Sequence, residues 1–170
     1  MPYNLSLSKL LIWLCCLFLT ACSSDINNPF GLDKNQIFYV LDTGSERNYK
    51  VNATLSELDG RYKLSIKGSN NSDGLIITIK GIRNKAAQLL DFNKEVNVIV
   101  NEKIDKELNI YVSSGCKDNP GTFEIVNWDK DNKTITGTFS GPVCTRGIFS
   151  HLPNTEIREG AFYKLKYYDK

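Results

Sequence analysis

Apolar and polar residues alternate along most of the chain from residue 36 to the C-terminus, and this pattern limits what the chain can fold into. The clearest segments are RYKLSIK (61–67), VNVIVN (96–101) and YKLKY (163–167), each apolar at every second position. A β-strand has this period of two because successive side chains point to opposite faces. A helix would repeat its apolar positions every three or four residues. The pattern therefore predicts many short strands, each with one face buried.

Turn-rich tracts separate these segments, which favours antiparallel neighbours. GSNNSDG (68–74) and DKDN (129–132) consist mainly of Gly, Asn, Asp and Ser, residues that form hairpin turns. Only NKAAQLL (84–90) has helical character, and it covers two turns at most. We expect an all-β fold, an antiparallel β-sandwich or small barrel, with at most one short helix near residues 84–90.

The N-terminus has the organisation of an export signal. Lys9 and the free amino group precede the apolar run Leu10–Leu19, which has ten residues, whereas a membrane-spanning helix needs about 20. The following Leu19-Thr20-Ala21-Cys22 resembles the bacterial lipobox, in which an aliphatic residue and two small residues precede an obligatory cysteine. The resemblance implies a diacylglycerol thioether on Cys22, cleavage after Ala21 and acylation of the new amino terminus. An uncleaved anchor containing a buried cysteine is the alternative.

Three segments of the chain follow from this interpretation. Residues 1–21 form the signal peptide, residues 22–35 a lipidated, polar tether, and residues 36–170 the β-domain. By resemblance to the sorting rule of enterobacterial lipoproteins, Ser23 rather than Asp after the lipidated cysteine favours delivery to the outer membrane. We therefore expect a cell-envelope protein anchored by lipid, on the surface or on the periplasmic side. The acyl chains on Cys22 are its only expected non-protein groups.

The strand motifs of the β-domain carry a second resemblance. LSIKG (64–68), ITGTF (135–139) and IREGAF (157–162) fit the patterns L-x-I-x-G, I-x-G-T-F and I-x-x-G-x-F. Together they resemble small lipoproteins of unknown function that are common in Bacteroidetes, over roughly residues 62–168. The resemblance implies an envelope location and an all-β fold. It implies no activity.

Cys116 and Cys144 are the only cysteines of the β-domain, and export permits their oxidation. Pairing Ile125 with Ile135 in the hairpin around DKDN puts both on the buried face. The same register, continued outward, brings Cys116 opposite Cys144 and predicts a disulfide. Two separate buried thiols are the alternative. A zinc site is disfavoured because neither a C-x-x-C pair nor a neighbouring histidine accompanies them.

Four aromatic residues are candidates for a binding surface. Strict alternation along their strands points them away from the predicted core face; they are Tyr111, Trp128, Phe162 and Tyr168. Exposed aromatic rings on a sheet can stack on sugar rings or on a protein partner. The alternative is that some of them belong to the core of a two-faced sheet.

Composition excludes some functions and leaves others open. The net charge is +2, from 21 basic and 19 acidic side chains, which lacks the basic footprint of a nucleic-acid binder. His151 is the only histidine, and its segment FSHLPN is typical of a loop, so no catalytic or metal-binding set is assigned.

We expect a non-enzymatic binding or structural module. The alternatives are an envelope hydrolase with a carboxylate pair, and an inhibitor or immunity protein that inserts the loop SGCKDNPG (114–121).

The lipobox makes a direct prediction. Replacing Cys22 by Ala removes the only thiol that can carry the lipid, so metabolic labelling with an alkyne fatty acid should be lost and the chain should not be cleaved after Ala21. Cys15→Ala, within the apolar run, is the matched control and should keep the label. Undiminished labelling of Cys22→Ala would contradict the lipobox.

Overall fold

A computed structural model describes residues 28, 30–70, 73–92, 94–104, 107–116, 121–145 and 153–170. Within these residues the chain forms ten strands and one turn of 3-10 helix, Ser113–Gly115. The strands are β1 (Gln36–Leu41), β2 (Glu46–Leu58), β3 (Arg61–Ser69), β4 (Gly74–Ile82), β5 (Gln88–Asp91), β6 (Val96–Ile104), β7 (Glu107–Val112), β8 (Thr122–Asp129), β9 (Thr134–Thr145) and β10 (Thr155–Asp169). The all-β prediction is confirmed. No helix within the described residues has the length and hydrophobicity of a membrane span.

The ten strands form one sheet that closes on itself through β10. One edge of β10 pairs with β9. The other edge pairs antiparallel with β1 over Ile157–Tyr163 and then parallel with β2, where Tyr167 lies opposite Ala53. β1 is therefore a wedge between β2 and β10, and the ring continues from β2 through β3, β4, β6 and β7 to β9. The short strands β8 and β5 extend from β9.

Two glycine–phenylalanine pairs hold β9 and β10 together. Gly137 lies opposite Phe162, and Gly160 lies opposite Phe139. A Cβ atom on Gly137 would come within 2.5 Å of the Phe162 ring, and one on Gly160 within 2.5 Å of the Phe139 ring. Each glycine thus makes room for the aromatic ring of the other strand. The motifs I-x-G-T-F and I-x-x-G-x-F are the two halves of this one contact.

The glycine of the motif L-x-I-x-G, Gly68, also makes room for side chains of a neighbouring strand. Gly68 in β3 lies opposite Val51 in β2, and a Cβ atom there would come within 2.6 Å of Val51 Cγ1. The aliphatic interior surrounds this point, with Leu64, Ile66 and Ile77 at 1% exposure or less. The glycines of all three motifs therefore mark places where neighbouring side chains need their space.

The disulfide is present, although the register that predicted it was wrong. Cys116 and Cys144 are bonded, with their Cα atoms 5.4 Å apart. In the β8–β9 hairpin, however, the turn pairs Asp129 with Thr134, so Ile135 lies opposite Trp128 and Ile125 lies opposite Gly137. A bulge between Ile125 and Asn127 shifts the register by one further residue. The bulge inserts one unpaired residue, which a prediction from strict alternation does not include.

The helix allowed near residues 84–90 is absent. Asn84–Ala86 form a bend, and residues 88–91 form β5, which pairs antiparallel with β8. Leu90 is buried while Leu89 is 68% exposed, as expected for a strand. Two turns of isolated helix are marginal because nucleation is costly, so pairing with β8 prevails.

Part of the predicted tether packs on the domain. Leu32 is 8% exposed and lies in a small cluster with Ala161 and Tyr163 on the outer side of β10. Asn28 accepts a hydrogen bond from the Leu32 amide and donates one to its carbonyl oxygen. The first strand begins at Gln36, but the chain is already attached to the sheet before that residue.

The glycine–phenylalanine contact predicts a large effect of one methyl group. Gly137→Ala should lower the free energy of unfolding by about 1–3 kcal/mol, because the added Cβ would overlap both the Glu124 carbonyl oxygen of β8 and the Phe162 ring. Gly115→Ala is the control, since its Cβ would meet only ordinary contacts at 3.6 Å or more. Urea unfolding of the three proteins measures the difference, and equal stability of the two variants would contradict the contact.

Candidate functional site

Three of the four aromatic residues predicted to be exposed are buried. Tyr111 is 5%, Trp128 7% and Phe162 1% exposed. Trp128 lies edge-on to Tyr167, and its Nε1–H donates a hydrogen bond to the Tyr167 hydroxyl at 3.1 Å. The interior of the closed sheet is filled by such side chains. These three residues therefore belong to the core and cannot form the predicted stacking surface.

Irregularities of two strands explain the error there, and in β7 the inward face is the opposite of the predicted one. The bulge in β8 turns Trp128 inward together with Ile125. In β10, irregularities between Ile157 and Gly160 and between Phe162 and Leu165 shift the inward face. In β7 the inward residues are Asn109 and Tyr111, which the alternation had assigned to the outer face.

Tyr168 remains exposed, and it lines a groove on the outer surface. The groove, which we call the lysine groove, has a volume of about 350 Å³ and lies where β1 enters between β2 and β10. Tyr168 is 55% exposed, and the Lys166 ammonium lies 5.8 Å from the centre of its ring. The residues that line the groove include Lys34, Asn35, Lys50, Asn52, Lys166 and Tyr168.

A larger cleft lies beside the β2–β3 hairpin. We call it the hairpin cleft; its volume is about 1390 Å³, and its lining includes the hairpin residues Ser56, Glu57, Leu58, Asp59, Arg61, Tyr62 and Lys63. Of its five cations, Lys94 pairs with Asp91, whereas Arg61, Lys63, Lys80 and Arg83 form no ion pair with another described residue. Three carboxylates, on Glu57, Asp59 and Glu95, also line it. The cleft is thus polar, open and moderately basic.

A charged cluster lies at one end of the interior. Arg47 lies on the inward face of β2. Its Nη2 atom lies 2.8 Å from Glu102 Oε1, and its Nε atom lies 3.5 Å from Asp73 Oδ2. Glu102 continues the inward face of β6 and is only 3% exposed. Asp73 also accepts a hydrogen bond from the Lys103 amide at 2.9 Å. One guanidinium therefore compensates two carboxylates, one of which is buried.

Burial governs the protonation of this end of the sheet. It raises the pKa of Glu102, and the nearby Arg47 guanidinium opposes part of that rise. Burial likewise raises the pKa of both Tyr39 and Tyr49, whose hydroxyls lie 3.4 Å apart. These tyrosines stay neutral at physiological pH.

The cluster does not form the open carboxylate pair that a glycosidase needs. In such enzymes the scissile bond lies between the two carboxyl groups. Here the Arg47 guanidinium contacts both Asp73 and Glu102. The arrangement suits closure of the end of the sheet better than binding of a substrate.

Several predicted features lie outside the described residues. Cys22 and the lipobox, His151 and residues 117–120 of the loop SGCKDNPG belong to this group. Within the described ranges, no group of three or more His, Cys, Asp or Glu side chains could hold a metal ion. The grooves were not predicted because they combine residues distant in sequence, and only the exposed position of Tyr168 pointed to one of them.

Comparison with known proteins returns no family model, no curated protein and no solved structure that matches the chain. The resemblance to Bacteroidetes lipoproteins therefore stays a prediction from three motifs. Any statement about function has to come from the surfaces described above.

The raised pKa of Glu102 predicts a pH dependence. The pKa of Glu102 is higher in the folded chain than in the unfolded chain, where it is about 4.3. Such a carboxyl contributes its full stabilisation below the unfolded pKa. That stabilisation is lost as the pH rises through the folded pKa. The unfolding free energy of the wild type minus that of Glu102→Gln should therefore fall between pH 4 and pH 7. Urea unfolding at several pH values measures it. A difference that rises with pH for Glu102→Gln would contradict the assignment.

Proposed function

We propose that this chain is a lipid-anchored cell-envelope protein whose β-domain is a non-enzymatic module that binds an acidic glycan in the hairpin cleft. The observation that carries the proposal is the set of four cations, Arg61, Lys63, Lys80 and Arg83, without an ion-pair partner among the described residues of one open cleft. Unpaired cations in a cleft attract anions and concentrate them there. The described interior consists of packed apolar side chains, so we place binding on the outer surface.

The other groups of the cleft suit a sugar polymer. Ser56, Asn84 and Gln88 offer hydroxyl and amide groups beside the cations. The Tyr62 ring is partly buried, and the Lys85 ammonium lies 4.6 Å from its centre. Glycan sites combine such hydrogen-bonding groups with a ring surface. An acidic protein is the other ligand that this charge would accept.

The lipobox supports the envelope location. Ten residues separate Cys22 from Leu32, the residue that packs on the sheet, so the tether spans about 33–36 Å at most. Two or three acyl chains on Cys22 would hold the protein on its membrane durably. The domain would then stand close to the headgroups and face the polymers of the envelope.

The alternative functions have less support. The Asp73–Glu102 cluster offers little to a hydrolase, because Arg47 contacts both carboxylates. The hairpin cleft also has three carboxylates, Glu57, Asp59 and Glu95, but cations outnumber them there. The inhibitor alternative rests on the loop SGCKDNPG, of which residues 117–120 lie outside the described structure.

Binding of acidic polysaccharides tests the proposal. The full-length lipoprotein in neutral detergent should bind immobilised polygalacturonate and not neutral dextran, and the binding should weaken with salt. Arg61→Gln combined with Arg83→Gln removes two cleft cations and should raise the dissociation constant about tenfold or more.

The control variant removes the same number of positive charges outside the hairpin cleft. Lys103→Gln combined with Lys130→Gln removes two exposed cations outside the cleft and should bind like the wild type. Equal weakening in both double variants would indicate non-specific attraction. Absence of binding to any acidic polysaccharide, together with capture of a protein from the envelope fraction, would replace the glycan with a protein ligand.

A further inference from the structure

Asn35 connects the strands that surround the lysine groove. The backbone carbonyl of Asn35 accepts a hydrogen bond from the Val51 amide of β2 at 3.0 Å. Its side-chain Oδ1 accepts one from the Lys166 amide of β10 at 2.7 Å. Asn35 has a positive φ of 63°, which asparagine tolerates better than most residues. It therefore joins β2 and β10 at the point where β1 begins, and this junction brings the three lysines to one groove.

The charge of the groove is uncompensated. Its described lining contains Lys34, Lys50 and Lys166 and no carboxylate. None of the three makes an ion pair with a described residue, although other exposed cations do, such as Lys94 with Asp91 at 2.9 Å. Three lysines around one concave surface create a positive potential that favours a multiply charged anion.

The path of the chain places the groove next to the proposed anchor. Leu32 packs against Ala161 and Tyr163, and the Asn35 amide donates a hydrogen bond to the Tyr163 carbonyl oxygen at 3.2 Å. Asn28 and Leu32, which lie on the way to Cys22, are therefore attached to the domain only a few residues before Lys34. With at most about 33–36 Å of chain between Cys22 and Leu32, this side of the domain is the one held nearest to the membrane.

Two exposed aromatic rings flank the same side. Tyr168 is 55% and Phe30 38% exposed, and the Phe30 ring lies 5.4 Å from that of Phe38. Aromatic side chains, Tyr and Trp in particular, favour the interface between headgroups and water. Basic residues next to them favour a bilayer that carries negative charge.

We propose that the lysine groove binds phosphate headgroups of anionic lipids in the leaflet that holds the Cys22 acyl chains. The inference rests on the lipid anchor in the proposed function and is independent of the ligand in the hairpin cleft. Contact with the headgroups orients the domain, because the surface that carries Lys34, Lys50 and Lys166 then lies against the bilayer. The hairpin cleft, in a different part of the surface, stays free for a soluble polymer.

Amine labelling of the reconstituted lipoprotein tests this orientation. The full-length lipidated protein is placed in vesicles of phosphatidylcholine, in vesicles with 30% phosphatidylglycerol, and in neutral detergent micelles, and it is treated with an acylating reagent. Labelling of each lysine is read by mass spectrometry. Lys50 and Lys166 should be labelled at least threefold more slowly in the anionic vesicles than in the neutral ones. Lys63 and Lys80, exposed in the hairpin cleft, are internal controls and should not change.

A variant and a competitor separate the possible outcomes. With Lys34→Gln, the slower labelling of Lys50 and Lys166 should shrink towards the rate in neutral vesicles. Equal rates for groove lysines in both vesicle types would overturn the inference while leaving the anchor intact. Protection by inorganic phosphate in micelles, equal to that in anionic vesicles, would identify a phosphate-ion site and also overturn it. A protein that does not float with vesicles would instead refute the anchor.

Discussion

The structure depends on the reciprocal packing of glycine and phenylalanine between β9 and β10. Phe162 occupies the space over Gly137, and Phe139 occupies the space over Gly160. This contact sets the register of the longest strand in the described chain. With β10 held on that side, its free edge first meets β1 and then the parallel pairing with β2 that begins at Tyr167. Because β10 pairs with β9 on one edge and with β1 and β2 on the other, the sheet closes. The lysine groove forms where β1 enters between β2 and β10.

Closure determines where a ligand can bind. Within the described residues, the closed sheet surrounds packed aliphatic and aromatic side chains, and the ionic cluster at one end of this interior pairs Arg47 with Glu102 and Asp73. A buried charge of this kind is costly unless it is compensated, which explains why both carboxylates contact the same guanidinium. Interaction with other molecules is left to the outer surface, where cations without partners line the hairpin cleft and the lysine groove.

Alternation alone predicted the all-β class and several of the strands, because strands such as β1, β3 and β4 do have one buried face. It failed where a strand contains an irregularity. The bulge after Ile125 brings Trp128 into the core, and β10 likewise turns Phe162 inward. The disulfide was predicted correctly from an incorrect register, since the cysteines lie beyond the bulged hairpin. The grooves escaped prediction because pairs such as Lys50 and Lys166 meet only through closure.

Hydrogen exchange at the β10–β2 seam tests the closed sheet most directly. Closure predicts that the amides of residues 165–170 that face β2 exchange slowly, since the Lys170 amide donates a hydrogen bond to the Leu55 carbonyl oxygen of β2 at 2.8 Å. Their protection should approach that of the β3 amides opposite β2, and it should disappear with that of β3 at the same urea concentration. If residues 165–170 exchanged as fast as an unstructured peptide while β3 stayed protected, the sheet would be open at this seam. The filled interior and the lysine groove would then both be contradicted.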